Sequence, residues 1–494
     1  MLKSKNILLS ETDVLIIGGG IMGATLASIL KEVDSNLRVD IVEALSKPAL
    51  ESSHPLNNAG TGHAGYCELN YTPLLPNNRI DIQKAIKINA GFEISLQYWS
   101  YLTKKYPLFS PAKFIKRVPH ISLVNGDKNI AYLKKRYFAL KNNPLFKTIE
   151  FSSNFKTIGK WIPLLKSKKS VKKYAATKVE SGTDVDFGEI TFQLLSILKT
   201  KKNFHLRTEH KVLDINEHED GSWLAKLTDD KEIKSKFVFI ASGGNSLKLL
   251  QKTKVFEQIG YAGFPISGQW LVCKDPLVVA MHSAKVYGKA DIGSPPMSMP
   301  HLDLRIINGE KILMFGPFAS FTSKFLISGS FFDLISSVKF HNLKTLCIVF
   351  LKEWPLLIYL IKQNLKTHKN RMSDLRQFYP DAKSKDWHLE DAGIRVQIMK
   401  KTKKDGPKLE FGTEIIYSKQ NNLAALLGAS PGASISVQSM IHVVEKCLIK
   451  KERLSSWKSK IKKMIPSYDL DLEKNPKLLK KIRSTNQKIL GINY

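Results

Sequence analysis

The stretch that decides the fold is TDVLIIGGGIMGATLASILKEVDSNLRVDIVEA, residues 12–44. Its first apolar run, residues 14–17, has the length and branching of a buried strand, and it stops abruptly at Gly18, Gly19 and Gly20. A helical pattern follows from Ile21 to about Lys31, and then a second short apolar run, residues 39–42, that ends at Glu43. Strand, Gly-x-Gly-x-x-Gly turn, helix and strand in this order predict a dinucleotide-binding unit. Gly18 makes the tight turn, Gly20 lets a pyrophosphate approach the backbone, and Gly23 lets helix and strand pack closely. The phosphates would sit on the helix N-terminus. Glu43, 20 residues past the last of these glycines, is placed to bind ribose hydroxyls.

Two later segments choose between dinucleotides. KFVFIASGGNSLKLLQ, residues 236–251, reads as a strand, a Gly243-Gly244 turn and a helix, like the second motif of two-domain FAD proteins. NNLAALLGASPGASISVQSMIHVVEKCL, residues 421–448, reads as an apolar strand, a turn of small residues through Gly428, Ser430 and Gly432, and an amphipathic helix. A helix N-terminus in such a turn would aim its amides at a flavin ring and stabilise the negative charge of the reduced form. An NAD-binding domain would not need this third fragment, so FAD is the expected cofactor. A further stretch, NNAGTGHAGYCELNYTP at 57–73, combines Gly60, Gly62 and Gly65 with Thr61, His63 and Cys67, which looks like backbone brought close to a ligand.

The remaining composition sets bounds. With 494 residues, 43% hydrophobic and 24% charged, the chain is globular and long enough for two domains. Its net charge of +32 invites a nucleic-acid or membrane-surface reading, but Lys outnumbers Arg 65 to 11, and base and phosphate recognition leans on the guanidinium fork. No nucleic-acid partner is expected. The N-terminus offers no secretory signal, and the four cysteines (Cys67, Cys273, Cys347, Cys447) lie too far apart for a metal or redox pair, so neither metal nor disulfide is expected. No run reaches transmembrane length. Two segments are candidates for lying on a membrane: LCIVFLKEWPLLIYLI at 346–361, interrupted by Lys352, Glu353 and Pro355, and KERLSSWKSKIKKMI at 451–465, with Leu454, Trp457, Ile461, Met464 and Ile465 on one face.

The motifs GGGIMGATLA, ESSHPLNNAGTGHAGYCELNYTP, RVPHISLVNG, ESGTDVDFGEIT, FPISGQWLVC, HSAKVYGKADIGSPPMSMPHLDLR, MFGPFA and LLGASPGAS, spread over essentially the whole chain, resemble malate:quinone oxidoreductase. The pattern is loose only at Gly65-Tyr66 and in the Lys-rich stretch 166–173. The resemblance implies an α/β (α+β overall) two-domain flavoprotein, with a Rossmann-type FAD domain and an inserted mixed-sheet substrate domain. The expected FAD domain is 1–95, 170–265 and 385–450, the substrate domain 96–169 and 266–384, and 451–494 a basic helical tail. It implies oxidation of (S)-malate to oxaloacetate with electrons passed through FAD to a membrane quinone. The alternative is a 2-hydroxyacid or amino-acid oxidase that uses oxygen.

The resemblance also places Asn58, Thr61 and Gly62 against the flavin, beside Gly18, Gly20, Gly23, Glu43, Gly243, Gly244, Gly428, Ser430 and Gly432. Two substrate carboxylates call for cationic donors, and the hydroxyl proton calls for a base, which points to His63, His301, Arg305 and Arg395. Arg395 lies in DAGIRVQI, similar to the segment that carries the substrate-binding arginine in related FAD oxidases; the competing role is an ion pair with Glu390 or Asp391. A quinone acceptor, the basic charge and the two surface segments predict peripheral attachment to anionic lipid on the cytoplasmic face of the inner (plasma) membrane.

Overall fold

Val14 to Ile17 are apolar without alternation because both faces of their strand are covered. Val14 and Ile16 join one buried cluster, Leu15 and Ile17 another. They end the strand Ile7–Ile17, which pairs in parallel with Val39–Val42 on one side and Lys231–Ile240 on the other. The computed structural model describes residues 7–165, 173–289, 299–402, 406–428, 432–449 and 451–493. Across the first sheet the order is Thr413–Tyr417, Leu423–Gly428, Lys231–Ile240, Ile7–Ile17, Val39–Val42, Phe204–Arg207, with the antiparallel strands Val212–Glu217 and Trp223–Leu227 alongside. Three regions far apart in sequence thus build one sheet.

The helices Ile21–Val33, Gln83–Lys105, Phe187–Lys199 and Ser436–Val443 pack into the cluster on one face. The C-terminal helices Leu454–Met464 and Pro476–Leu490 join them, burying Trp457, Ile461, Met464, Leu479 and Ile482. Of the two roles open to 451–465, membrane contact or packing on the core, the structure shows packing: the apolar stripe is taken up by the protein's own core, and the lysines of the other face remain outside.

A second, mixed sheet runs Gly406–Glu410, His388–Thr402, Ala262–Cys273, Glu310–Gly316, His301–Ile307, Lys285–Tyr287, His120–Asn125, Tyr174–Val179, Glu150–Ser152. Three of its strands, Tyr174–Val179, His388–Thr402 and Gly406–Glu410, fall inside the segments 170–265 and 385–450 assigned to the FAD domain from sequence. They hydrogen-bond into the second sheet because the chain crosses between sheets within those segments, before reaching Lys231–Ile240 and Leu423–Gly428. The architecture is α/β with a parallel-centred dinucleotide sheet and a mixed sheet beside it.

The apolar stretch 346–361 forms two helices, Phe340–Lys352 and Trp354–Asn364, divided where Glu353 and Pro355 interrupt it. Val349, Leu356 and Leu360 face inward, in one cluster with Phe264, Ile266 and Ala319. The outer face leaves Phe340 100%, Leu351 76% and Leu365 77% exposed, with Trp354, Ile358 and Ile361 between them. Among the described residues no helix is long and apolar enough to cross a membrane.

Candidate active site

The first sheet's strand ends converge on a cavity of about 680 Å³. Gly18, Gly20 and Glu43 line it from the N-terminal unit, Gly243 and Gly244 from the second, and Gly428 and Gly432 from the third. Asn58, Thr61 and His63 come from the 57–73 loop and Arg395 from the second sheet. Gly18 has φ +115° and runs so close to the next strand that an added Cβ would lie 2.4 Å from the Ala241 carbonyl oxygen. Glu43 is held by backbone amides: Gly19 N–H donates to Oε2 (2.8 Å) and Leu45 N–H to Oε1 (2.9 Å). At the start of the 21–33 helix, Ile21 N–H donates to the Ser53 hydroxyl (3.0 Å), and Gly20 caps the helix without a side chain. A cavity lined by the helix N-terminus at Gly20 and by a fixed carboxylate fits a dinucleotide, its pyrophosphate at the helix end and its ribose at the acid.

Two of the expected cofactor residues sit behind the lining. A Cβ on Gly23 would meet Gly18 O at 2.3 Å, so Gly23 serves the helix–strand contact, and one on Gly62 would meet Thr183 Oγ1 at 2.1 Å. Ser430 lies outside the described residues. The 57–63 loop is stitched to the C-terminal segment by Ser434, a residue not foreseen from sequence, whose hydroxyl accepts from His63 N–H (3.0 Å) and donates to Thr61 C=O (3.0 Å).

The loop rests on a buried charge cluster. Asp184 Oδ1 lies 2.9 Å from Lys285 Nζ and 2.8 Å from Arg305 Nε, with all three side chains almost fully buried. Lys285 Nζ also donates to Ala59 C=O (2.8 Å), and Arg305 Nη1 donates to Pro55 C=O (2.8 Å) and to Asn58 C=O. This corrects the placement of Arg305 at a substrate carboxylate: it lies outside the cavity lining, fully buried behind Gly60, where a Cβ would stand 2.3 Å from its Cζ. Asp184, Lys285 and Asp303 escaped the sequence reading. Their one signal was an ionisable residue at inward positions of otherwise apolar strands, as in AKVY.

His301 is likewise set back from the cavity. Its Nδ1 is 2.7 Å from Asp303 Oδ2, and its ring stacks on Tyr287 at 4.2 Å. Burial opposes ionisation of Asp303, but His301 and Lys285 outweigh it and hold its carboxyl below the usual range. Tyr287 links this pair forward, its hydroxyl 2.8 Å from that of Thr61 and its ring edge-on to His63 at 6.5 Å.

His63 and Arg395 do reach the cavity. Burial pushes the His63 imidazole down to about 3, with His120, His301, Lys285 and Arg395 around it, so the ring is neutral at ordinary pH. Among the described residues neither ring nitrogen of His63 has a hydrogen-bond partner, and no carboxylate pairs with Arg395. Glu390 instead lies 3.4 Å from His388, and Asp391 accepts from Gln269 (3.2 Å).

Similar architecture is found in L-α-glycerophosphate oxidase from Mycoplasma pneumoniae with FAD bound (TM-score 0.58, 17% identical, covering 89% of this chain and 95% of that one). Glycine oxidase from Geobacillus kaustophilus is comparable (TM-score 0.59, 15% identical, 88% and 94% covered). The fold is the one these two flavoenzymes share, with a dinucleotide-sized cavity at the strand ends of its first sheet. The family model for malate:quinone oxidoreductase matches residues 10–492. A probable malate:quinone oxidoreductase of Hahella chejuensis is 48% identical over 491 residues, with 98% of each chain covered, and one from Wigglesworthia glossinidia brevipalpis is 50% identical over 488 residues (98% and 96% covered). The chain belongs to the malate:quinone oxidoreductase family.

The glycines separate folding from cofactor binding. A Cβ on Gly20 meets only the rotatable Ser53 hydroxyl, at 3.1 Å, whereas one on Gly18 strikes backbone. Gly20→Val is therefore expected to fold with a wild-type circular dichroism spectrum but to purify without flavin absorbance. A yellow Gly20→Val protein at full occupancy would remove the pyrophosphate from this turn.

Proposed function

We propose that the chain oxidises (S)-malate to oxaloacetate and delivers the electrons through FAD to a membrane quinone, feeding the tricarboxylic acid cycle and the respiratory chain. Family membership carries the reaction. The observation that carries the site is a guanidinium without a carboxylate partner, Arg395, lining the same cavity as a neutral histidine. When bound, FAD supplies the two-electron acceptor for the malate C2 centre. Glu43 would hold its ribose, and the helix N-terminus at Gly20 its pyrophosphate.

Arg395 would take one malate carboxylate in its planar fork and so fix which way C2 faces. An unprotonated ring nitrogen of His63 accepts the C2 hydroxyl proton, a task the charged ring could not perform. The low pKa of His63 limits the thermodynamic drive for that transfer, and the carboxylates of malate itself, bound beside the ring, would offset this by stabilising the imidazolium as it forms. His301, oriented by Asp303, acts from behind through the Tyr287 ring and the Thr61 hydroxyl, shaping the pocket rather than touching substrate. Exclusion of water falls to the 57–63 loop, which Lys285 and Arg305 pin at its carbonyls. The oxygen-using oxidase reading is not favoured, because family membership specifies quinone as acceptor.

The quinone lives in lipid, and the exposed face of the helices Phe340–Lys352 and Trp354–Asn364 suits a membrane surface. Its apolar side chains are flanked by the exposed lysines Lys339, Lys344, Lys352 and Lys362, the pairing expected of interfacial helices on anionic lipid. Attachment is peripheral, on the cytoplasmic face of the inner (plasma) membrane.

Arg395→Lys keeps the charge and loses the fork. A folded, flavin-loaded variant is expected whose kcat/KM for malate falls at least tenfold, about 1.4 kcal/mol or more of transition-state binding; unchanged flavin reduction by malate would unseat Arg395. For the membrane face, Leu351→Glu together with Trp354→Glu is expected to abolish co-sedimentation with anionic vesicles while malate still reduces the flavin. Retained vesicle binding would move the contact elsewhere.

A further inference from the structure

The apolar face of the two surface helices does not end at Phe340. Just before it in the chain, Phe331, Phe332 and Ile335 are 68%, 72% and 68% exposed, a clustering that scattered surface apolar residues do not show. No more than about 18 Å of chain separates Ile335 from Phe340. That link is tied down: Asn342, on the helix Phe340–Lys352, donates to the Ser337 carbonyl (3.0 Å), and Leu334 N–H donates to the Ser323 carbonyl (3.0 Å). The other side of the same segment is a wall of the cofactor cavity, lined by Leu326, Ser328, Gly329, Ser330 and Asp333. Two carboxylates hold it there. Glu51 accepts from Ile327 N–H (3.0 Å), Ser328 N–H (3.0 Å) and the Ser328 hydroxyl (2.6 Å). Asp333 accepts from Lys248 Nζ (2.9 Å), Phe325 N–H (3.1 Å) and Ser330 N–H (3.0 Å). Glu51 and Lys248 themselves line the cavity. Packing fixes which part of the cavity is walled. A Cβ on Gly244 would lie 1.9 Å from the Phe325 carbonyl oxygen and 2.8 Å from Val396 Cγ2, and Val396 is the neighbour of Arg395. The segment therefore meets the cavity where Arg395 enters it.

A segment that turns serines and a carboxylate toward a cavity and aromatic rings toward solvent reverses the usual arrangement of a surface loop. We propose that residues 326–335 are the doorway of the quinone: their inner side takes the quinone ring at the cavity wall, while Phe331, Phe332 and Ile335 lie among lipid acyl chains and receive its hydrophobic tail. This rests on quinone being the electron acceptor and on the helix face meeting lipid. An acceptor dissolved in lipid has to reach the cofactor without crossing water, and this stretch touches both the cavity and an exposed apolar surface. Lipid, rather than a protein partner, is the occupant because the patch runs on into the lysine-flanked helix face. Lys324, its Nζ 4.9 Å from the centre of the Phe331 ring, and the exposed Lys339 continue that cationic flank along the segment. The transfer at the doorway balances as reduced flavin plus quinone giving oxidised flavin plus quinol, with two electrons and two protons passed.

The test is photolabelling of the oxidised wild-type holoenzyme with a short-chain azidoquinone, mapped by peptide mass spectrometry. Label is expected on the peptide that carries residues 326–335, and excess unlabelled quinone should remove it. Competable label only elsewhere, or none, overturns the proposal and needs no variant to fold. The paired change Phe331→Ser and Phe332→Ser leaves the helix face intact. That protein is expected to sediment with anionic vesicles and to have its flavin reduced by malate at the wild-type rate. Its flavin should then recover at least tenfold more slowly with a long-chain quinone in those vesicles, yet at the wild-type rate with a short-chain, water-soluble quinone. A wild-type rate with the long-chain quinone overturns the doorway, and so does an equal loss with both quinones. Leu351→Glu with Trp354→Glu, labelled in parallel, separates the readings. If vesicle binding is lost and the label stays on 326–335, the doorway and the lipid face both stand. If vesicle binding is lost and the label lies elsewhere, only the doorway fails. A reduced wild-type flavin that neither quinone reoxidises fails the acceptor reading itself.

Discussion

Asp184 is the charge on which the catalytic face depends. One of its oxygens meets both Lys285 and Arg305, and the other accepts from Ile306 N–H (2.9 Å). Removing one partner from such a buried cluster typically costs about 3–5 kcal/mol, because the remaining charges lose their compensation. Here the cost would fall on a specific piece of backbone. Lys285 and Arg305 hold the carbonyls of Pro55, Asn58 and Ala59, and Thr61 forms an isolated bridge to Asp184 itself. Without the cluster, the loop that carries Thr61 and His63 to the cavity has no floor.

That floor joins the two sheets. Lys285 and Arg305 belong to strands of the mixed sheet, whereas Ser434, which fixes the other end of the loop, follows the last strand of the dinucleotide sheet. The 57–63 loop is therefore clamped between the part of the molecule that would hold cofactor and the part that presents Arg395. A hydroxyacid can be oxidised only if its C2 carbon, a base and the electron acceptor are aligned to within fractions of an ångström. A loop tied to both sheets is a means of keeping that alignment without a rigid element of its own.

The dinucleotide sheet was legible because its signals are local. Glycines at 18, 20 and 23, an acid at 43 and two later small-residue turns each mark a strand end within a few residues, and their convergence follows from topology. The withdrawal of Arg305 into a buried charge cluster, unlike Arg395, was not legible. Both lie in strands, and what separates them is a carboxylate 121 residues before Arg305, at Asp184, that no local pattern announces. Segment 451–465 shows the same limit. An amphipathic helix has one pattern whether its apolar face meets lipid or its own core, and only the packed positions of Trp457 and Ile461 decide.

The central claim is that malate reduces a flavin held in this cavity and that quinone, rather than oxygen, takes the electrons on. The most direct measurement is anaerobic mixing of purified holoenzyme with (S)-malate, followed by reoxidation either with a quinone in anionic vesicles or with air-saturated buffer. The account predicts bleaching of the flavin band by malate, fast recovery with quinone, and slow recovery in air with little peroxide. A flavin that stays oxidised in malate, or one that recovers in air as fast as with quinone and yields stoichiometric peroxide, would contradict it.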